Sequence, residues 1–198
     1  MMQRTTSNLL RYTTRQRTSS SSSSLPPISS RSIHIEKKLK DLKITLPPPP
    51  QPKANYNIVC HASSNMLYIS GHLPITNDGE LLTGVVGGGG PESDDGDGKS
   101  IEEGYAAARL AALNMVSTMK EQLGDLDRVE QVVKVFGIVN STVEFKSQHL
   151  VMDGCSDAIM EVFGKPVGYH ARSAIGTNTL PLDASVEVEA IIQIKESE

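Results

Sequence analysis

The segment SVEVEAIIQI at residues 185–194 constrains the fold of this chain more than any other. Apolar and polar side chains alternate along it, which is the period of a β-strand with one buried face. The apolar face consists of Val186, Val188, Ala190, Ile192 and Ile194. The opposite face carries Glu187, Glu189 and Gln193. This strand therefore needs an apolar layer against one of its two faces.

The segment SIEEGYAAARLAALNMVSTMKEQLGD at residues 100–125 predicts a long helix that can supply this layer. Ser100 and Glu103 have the spacing of a capping box, and Gly124 lies where a helix of this length should end. One face of the helix is marked by Ala108, Ala112, Met115 and Met119. We interpret this stripe as core packing against a sheet, not as a surface for a cofactor.

The remaining segments give an element order of strand, strand, helix, strand, helix, strand, strand. A first hairpin is predicted at 56–62 and 66–73, a central strand at 128–139, a second helix that is firm only from about 156 to 163, and a closing hairpin at 170–191. This order favours an α+β protein with helices on one face of a mixed sheet. Nothing in the chain remains to cover the other face, so we expect the protein to self-associate.

Residues 1–34 have the composition of an organelle transit peptide, because they are rich in Arg, Ser and Thr and contain no acid. We expect delivery to the mitochondrial matrix; a plastid transit peptide and a plain disordered tail on a cytosolic protein are the alternatives. Residues 35–52 predict a short helix, with Ile35, Leu39 and Leu42 on one face, followed by a proline-rich spacer. Residues 53–198 form the predicted domain.

The five arginines of the N-terminal segment mask an acidic body. Without them, 14 Lys and Arg remain against 23 Asp and Glu, a net charge of about −9. Such a body repels phosphate backbones, so we expect no nucleic-acid partner. The apolar runs are far shorter than the ~20 residues that span a bilayer, so we expect no membrane partner either.

Arg172 is the charged residue of the closing segment with the clearest chemical use. The strand period places Arg172, Ala174 and Gly176 on one side, which leaves room for a small molecule beside the guanidinium. A guanidinium binds carboxylates in bidentate pairs. Spacing alone favours the alternative that Arg172 forms a surface ion pair with Glu187 or Glu189. In a simple hairpin, Arg172 and Glu187 would lie on the order of 20 Å apart along the sheet.

Three segments resemble the Rid family, also called the YjgF or L-PSP endoribonuclease family. HARSAIGTNTLPLDASVEVEAI resembles its C-terminal signature R-S-x-V-x-V-x-x-L-P-x-x-x-x-V-E-I-E-A, NMLYISGHLPI its first conserved strand, and SIEEGYAAARLAALNMV its first helix. The segment IEKKLKDLKITLPPPPQPKANY resembles the start of a longer branch of that family. The resemblance implies a chorismate-mutase-like α+β fold and a homotrimer with sites in the clefts between subunits.

The resemblance also implies an activity: hydrolysis of reactive enamines and imines to 2-keto acids and ammonia, with no metal and no cofactor. The ligand would then be a small 2-imino or 2-keto acid. By resemblance, Arg172 binds the carboxylate and Glu187 orients water, as the catalytic pair. The substrate-binding positions fall on Tyr56, Ser70, Gly71, Ala174 and Ser156.

Two departures from the family pattern keep other functions open. The cysteine that commonly follows the arginine by two residues is Ala174 here, and the glutamate two positions further on is Gly176. A trimeric small-carboxylate-binding protein without turnover is therefore the second hypothesis. An endoribonuclease or translation inhibitor is the third, and it would require a basic groove that the acidic body does not indicate.

Overall fold

The computed structural model describes residues 35–63, 65–88 and 98–196. Its helices are α1 (Ile35–Asp41), α2 (Ile101–Leu123) and α3 (Gln148–Phe163), and its strands are β1 (Val59–Ser63), β2 (Met66–His72), β3 (Val129–Asn140), β4 (Ala171–Thr177) and β5 (Val186–Ile194). No helix in these ranges has the length and apolar character of a bilayer span. The proposed transit peptide at 1–34 lies outside the described residues, so the localisation stays a prediction.

The five strands form one mixed sheet in the order β1-β2-β5-β3-β4. The β1 and β2 hairpin is confirmed, and β3 and β4 form a parallel pair in an otherwise antiparallel sheet. The predicted closing hairpin is wrong, because β3 lies between β4 and β5. Helix α3 is the crossover that a parallel β3 and β4 pair requires. The short link after β4 then carries the chain past β3 to its other side.

Helices α2 and α3 cover one face of the sheet. The capping box is present, with Ser100 N donating to Glu103 Oε2 at 2.8 Å and Glu103 N donating to Ser100 Oγ at 3.2 Å. Gly124 ends α2 with a φ of 74°, a value that favours glycine. The stripe predicted as core is fully buried: Ala108, Ala112, Met115 and Met119. The α+β prediction with helices on one face is confirmed.

Helix α3 begins at Gln148, eight residues before the firm part of the predicted helix. Its first half is buried at Val151 and Met152, so tertiary packing stabilises a segment of weak helical pattern. Gly154 is required there, because a side chain would overlap the backbone oxygen of Tyr105 on α2. The two helices therefore approach closely at this point.

Helix α1 is attached to the turn that follows α2. Ile35 N donates to Asp127 Oδ1 at 2.9 Å, and Leu126 N donates to Glu36 Oε1 at 3.3 Å. Ile35 and Leu39 are buried in the core, whereas Leu42, which was predicted on the same face, is 40% exposed. Only the first turns of the predicted apolar face therefore pack on the domain.

Candidate functional site

Arg172 and Glu187 project from opposite faces of the sheet. On β4, Arg172 pairs with Val135 of β3, and on β5, Glu187 pairs with Ile138 of β3. Residues paired on neighbouring strands point to the same face of a sheet. Positions 135 and 138 of β3 are an odd number of residues apart in a regularly paired stretch, so they point to opposite faces. The side chains of Arg172 and Glu187 therefore also point to opposite faces. Within one chain, the two predicted catalytic residues do not line one pocket.

The guanidinium of Arg172 lies against α3. Its Nη1 donates to Asp153 Oδ1 at 2.9 Å and to Ser156 Oγ at 2.9 Å, and its Nη2 donates to the backbone oxygen of His149 at 3.2 Å. The side chain of Arg172 is 21% exposed and that of Asp153 is 46% exposed. The predicted surface pair with Glu187 or Glu189 is wrong, since Arg172 pairs with a residue of the helical layer.

Sequence reasoning missed Asp153. Positions 149, 153 and 156 recur at intervals of four and three, which places them on one face of a helix. The spacing was therefore visible, but the helix was predicted firmly only from Ser156 onwards. Extending it to Gln148 would have placed Asp153 beside the predicted Ser156.

Ser156, a predicted substrate-binding residue, is oriented by His170. The Nδ1 of His170 bonds to the backbone oxygen of Gly168 at 2.7 Å, and its Nε2 bonds to Ser156 Oγ at 3.1 Å. A carbonyl only accepts, so Nδ1 carries the proton and Nε2 accepts from the hydroxyl of Ser156. Burial lowers the pKa of His170, and the nearby charge of Arg172 lowers it further, so the charged form of the ring is disfavoured. The oxygen of Ser156 is thus turned towards Arg172.

Glu187 lies partly buried on the open face, the face without helices. A side chain at Gly71 would overlap its carboxylate, so these two predicted residues do come together. Burial raises the pKa of Glu187, and the neighbouring charge of Glu189 raises it further. A carboxyl group with a raised pKa exchanges protons closer to neutral pH, which suits a general acid or base.

The other predicted residues divide between the two faces. Ser70, beside Gly71, donates through Oγ to the backbone oxygen of Asn57 at 2.8 Å and so fixes the segment that follows Tyr56. Tyr56 itself is 51% exposed. We call Arg172, Ala174 and Ser156 the arginine half-site. We call Glu187, Gly71 and Ser70 the glutamate half-site.

The open face combines apolar and charged side chains. Tyr68 on β2 and Ile175 on β4 are both exposed large apolar residues. Lys134 Nζ on β3 donates to Ser173 Oγ on β4 at 2.8 Å. A cavity of about 320 Å³ on this face is lined by Cys60, Tyr68, Ile69, Ser70, Lys134, Phe136, Glu189, Ala190 and Ile191. No element of the described ranges covers this face.

An acidic cluster of Glu36, Asp125 and Asp127 has the spacing of a metal site. Each carboxylate accepts a backbone N–H, from Leu126, Asp127 and Ile35 respectively. The cluster therefore joins α1 to the turn after α2, which is a structural role.

The fold is that of an α+β protein with helices on one face of a mixed sheet, and the two candidate half-sites lie on opposite faces of that sheet. The family described as "YjgF/chorismate mutase-like, putative endoribonuclease" matches residues 38–193. Protein TCP17 of Trypanosoma cruzi is 42% identical over 161 residues, which cover 81% of this chain and 94% of TCP17. The chain belongs to the YjgF/chorismate mutase-like family, and the resemblance to Rid proteins is confirmed.

Solved structures of similar proteins agree with this assignment. Atu1372 from Agrobacterium tumefaciens, described as a protein of unknown function, is 39% identical, with 83% of this chain and 96% of Atu1372 covered and a TM-score of 0.68. A "putative endoribonuclease" from Shewanella oneidensis MR-1 is 28% identical, with 81% of this chain and 99% of that protein covered and a TM-score of 0.72. The predicted chorismate-mutase-like fold is confirmed by these similarities.

Proposed function

We propose that this protein is a deaminase that hydrolyses 2-imino acids to 2-keto acids and ammonia. The observation that carries the proposal is the position of Arg172 on the edge strand β4, where Ser156 and α3 hold its guanidinium at the surface. A fixed, partly exposed guanidinium is the group best suited to bind a small carboxylate. The partly buried Glu187 supplies a proton acceptor with a raised pKa.

We propose that the two half-sites meet across a subunit boundary. They project from opposite faces, so a single chain cannot close both around one small molecule. A homotrimer in which the β4 edge of one subunit meets the open face of the next would join the arginine half-site of one to the glutamate half-site of its neighbour. The uncovered apolar residues of the open face support such an assembly.

The proposed reaction needs positioning and proton transfer alone. Arg172 holds the substrate carboxylate, and Glu187 accepts a proton from a water molecule as the water oxygen bonds to the imine carbon. A strand carbonyl near Ala174 helps to hold that water. Glu187 then returns that proton to the nitrogen and takes up the proton of the new hydroxyl group as the carbon–nitrogen bond breaks. Ammonia leaves, and the hydroxyl group becomes the carbonyl group of the 2-keto acid.

An assay with 2-iminobutyrate tests the proposal. The full chain should form 2-oxobutyrate faster than buffer or free amines do. Arg172→Lys keeps the charge but loses the planar pair of donors, so KM should rise; Glu187→Gln should mainly lower kcat. A wild-type protein that gives no acceleration would contradict the deaminase proposal.

A carboxylate-binding protein without turnover is the second candidate. The family commonly has a cysteine and a glutamate, two polar residues, near the arginine, and this chain has Ala174 and Gly176 at those positions. The loss of these polar groups favours binding without turnover. The same assay separates the two candidates: this one predicts binding of 2-oxobutyrate through Arg172 with no acceleration. The acidic body argues against RNA as a partner for either candidate.

A further inference from the structure

We propose that Asp153 is a specificity-determining residue of the arginine half-site, which makes the site select zwitterionic ligands over simple anions. The inference rests on the proposed function of Arg172 as the carboxylate-binding residue. Its basis is the ion pair between Arg172 Nη1 and Asp153 Oδ1 at 2.9 Å. A ligand that reaches this guanidinium meets a negative charge beside it.

The guanidinium can bind a ligand without losing Asp153. Arg172 has five N–H donors, and its bonds to Asp153, Ser156 and His149 use three of them. Among the described residues, Nε–H and the second hydrogen on Nη2 donate to no acceptor. These two donors are available to a ligand carboxylate while the ion pair stays intact.

Asp153 can likewise bind a ligand without losing Arg172. Its Oδ1 accepts from Arg172, and its Oδ2 accepts no hydrogen bond from the residues that the structure describes. The side chain is 46% exposed, so that oxygen is accessible to a small molecule. The pair therefore presents a positive and a negative group side by side.

This charge pattern distinguishes the proposed substrate from the proposed product. A protonated 2-imino acid carries its carboxylate group and its cationic nitrogen on the same carbon, which matches neighbouring Arg172 and Asp153. A 2-keto acid carries the carboxylate alone, and Asp153 repels it. Asp153 thus favours entry of the substrate and weakens retention of the product.

Asp157 provides a matched control one helical turn away. It lies on the same helix four residues later, and its Oδ2 accepts from the hydroxyl of Tyr105 at 2.7 Å instead of from Arg172. Asp157→Asn removes the same charge as Asp153→Asn and leaves the ion pair of Arg172 intact. A direct effect on the ligand should therefore appear in one variant only.

Calorimetric titration of the full-length protein tests the inference with two stable probes, the anion 2-oxobutyrate and the zwitterion 2-aminobutyrate. Asp153→Asn should tighten binding of 2-oxobutyrate about tenfold and weaken that of 2-aminobutyrate, whereas Asp157→Asn should change each by less than about twofold. Asp153→Ser, which removes the charge with a smaller side chain, should reproduce the change if the amide variant folds poorly.

Three results would overturn the inference. Equal shifts in Asp153→Asn and Asp157→Asn would mean that net charge, not the ion pair, sets the preference. Unchanged affinities in both Asp153 variants, with the wild type still active on 2-iminobutyrate, would refute the inference and leave the proposed function intact. If neither probe binds the wild type or any variant and 2-iminobutyrate is not turned over, both the inference about Asp153 and the proposed function would be refuted.

Discussion

The carboxylate of Glu187 fills the space that a side chain at Gly71 would occupy. Gly71 lies in β2 next to an irregularity in its pairing with β5, between Ile69 and His72. The backbone of Gly71 is outside the left-handed region, so its conformation would accept another residue. Glycine is needed here for the close approach of Glu187.

We therefore expect Gly71→Ala to impair catalysis through Glu187. The added methyl group must displace the carboxylate, so kcat for 2-iminobutyrate should fall about tenfold or more, in the range of a misplaced acid–base group. The double-mutant cycle with Glu187→Ala is the control, because the alanine at 71 should cost little once the carboxylate is gone. Fully additive losses in the cycle would show that Gly71 acts independently of Glu187.

The charge of Glu189 should set part of the pH dependence of activity. Burial is the larger cause of the raised pKa of Glu187, and the charge of the Glu189 carboxylate raises that pKa further. Glu189→Gln should therefore lower the pKa of Glu187, so that the ionised base persists to lower pH. The acidic limb of the profile of kcat/KM against pH should move to lower pH. The exposed Glu80→Gln, as control, should leave the limb in place; a limb that is unmoved in both variants would contradict the assignment of Glu187 as the base.

The face that each side chain occupies was predictable from the sequence, because strand alternation is a local property. Arg172, Ala174 and Gly176 share a face as expected, with Ala174 packed against the core and Gly176 beside the side chain of Gln148. The order of strands was not predictable in this way. Pairing of β4 with β3 depends on the crossover helix α3, so Arg172 lies on the sheet edge instead of opposite β5.

The contacts made by the candidate-site residues were harder to predict than the residues themselves. Asp153 lies in a helical turn that contains Gly154, a residue of low helix propensity, and packing against α2 is what makes that turn helical. The ion pair of Arg172 thus depends on contacts distant in sequence. The closeness of Gly71 to Glu187 depends in the same way on the pairing of β2 with β5.

His72 should make stability depend on pH. It is fully buried, with Nδ1 bonded to the backbone oxygen of Ser70 at 2.7 Å and Nε2 bonded to Thr118 Oγ1 at 2.7 Å. Burial lowers its pKa below the ordinary 6.5. The unfolded chain therefore binds a proton as the pH falls through 6.5 while the folded protein does not, so stability is full above that pH and declines below it.

Urea unfolding of the wild type and of His72→Asn, from about pH 5 to about pH 8, tests this effect. That range extends about 1.5 pH units on either side of the ordinary pKa of histidine. The variant should be less stable at pH 8 and should lose less stability on acidification. Some pH dependence will remain in both proteins, because burial also lowers the pKa of His170. Parallel stability curves for the two proteins would show that His72 does not titrate between the folded and unfolded states.

The attachment of α1 should stabilise the whole domain through Leu39. Leu39 is buried in the core, and Leu42, three residues later and just past the end of α1, is 40% exposed. Leu39→Ala should lower the free energy of unfolding by ~2–4 kcal/mol, the usual cost of removing a buried leucine side chain. Leu42→Ala removes the same atoms from a more exposed position and should cost less than about 1 kcal/mol. Urea unfolding measures both, and similar losses in the two variants would mean that α1 is not packed on the domain as a buried element.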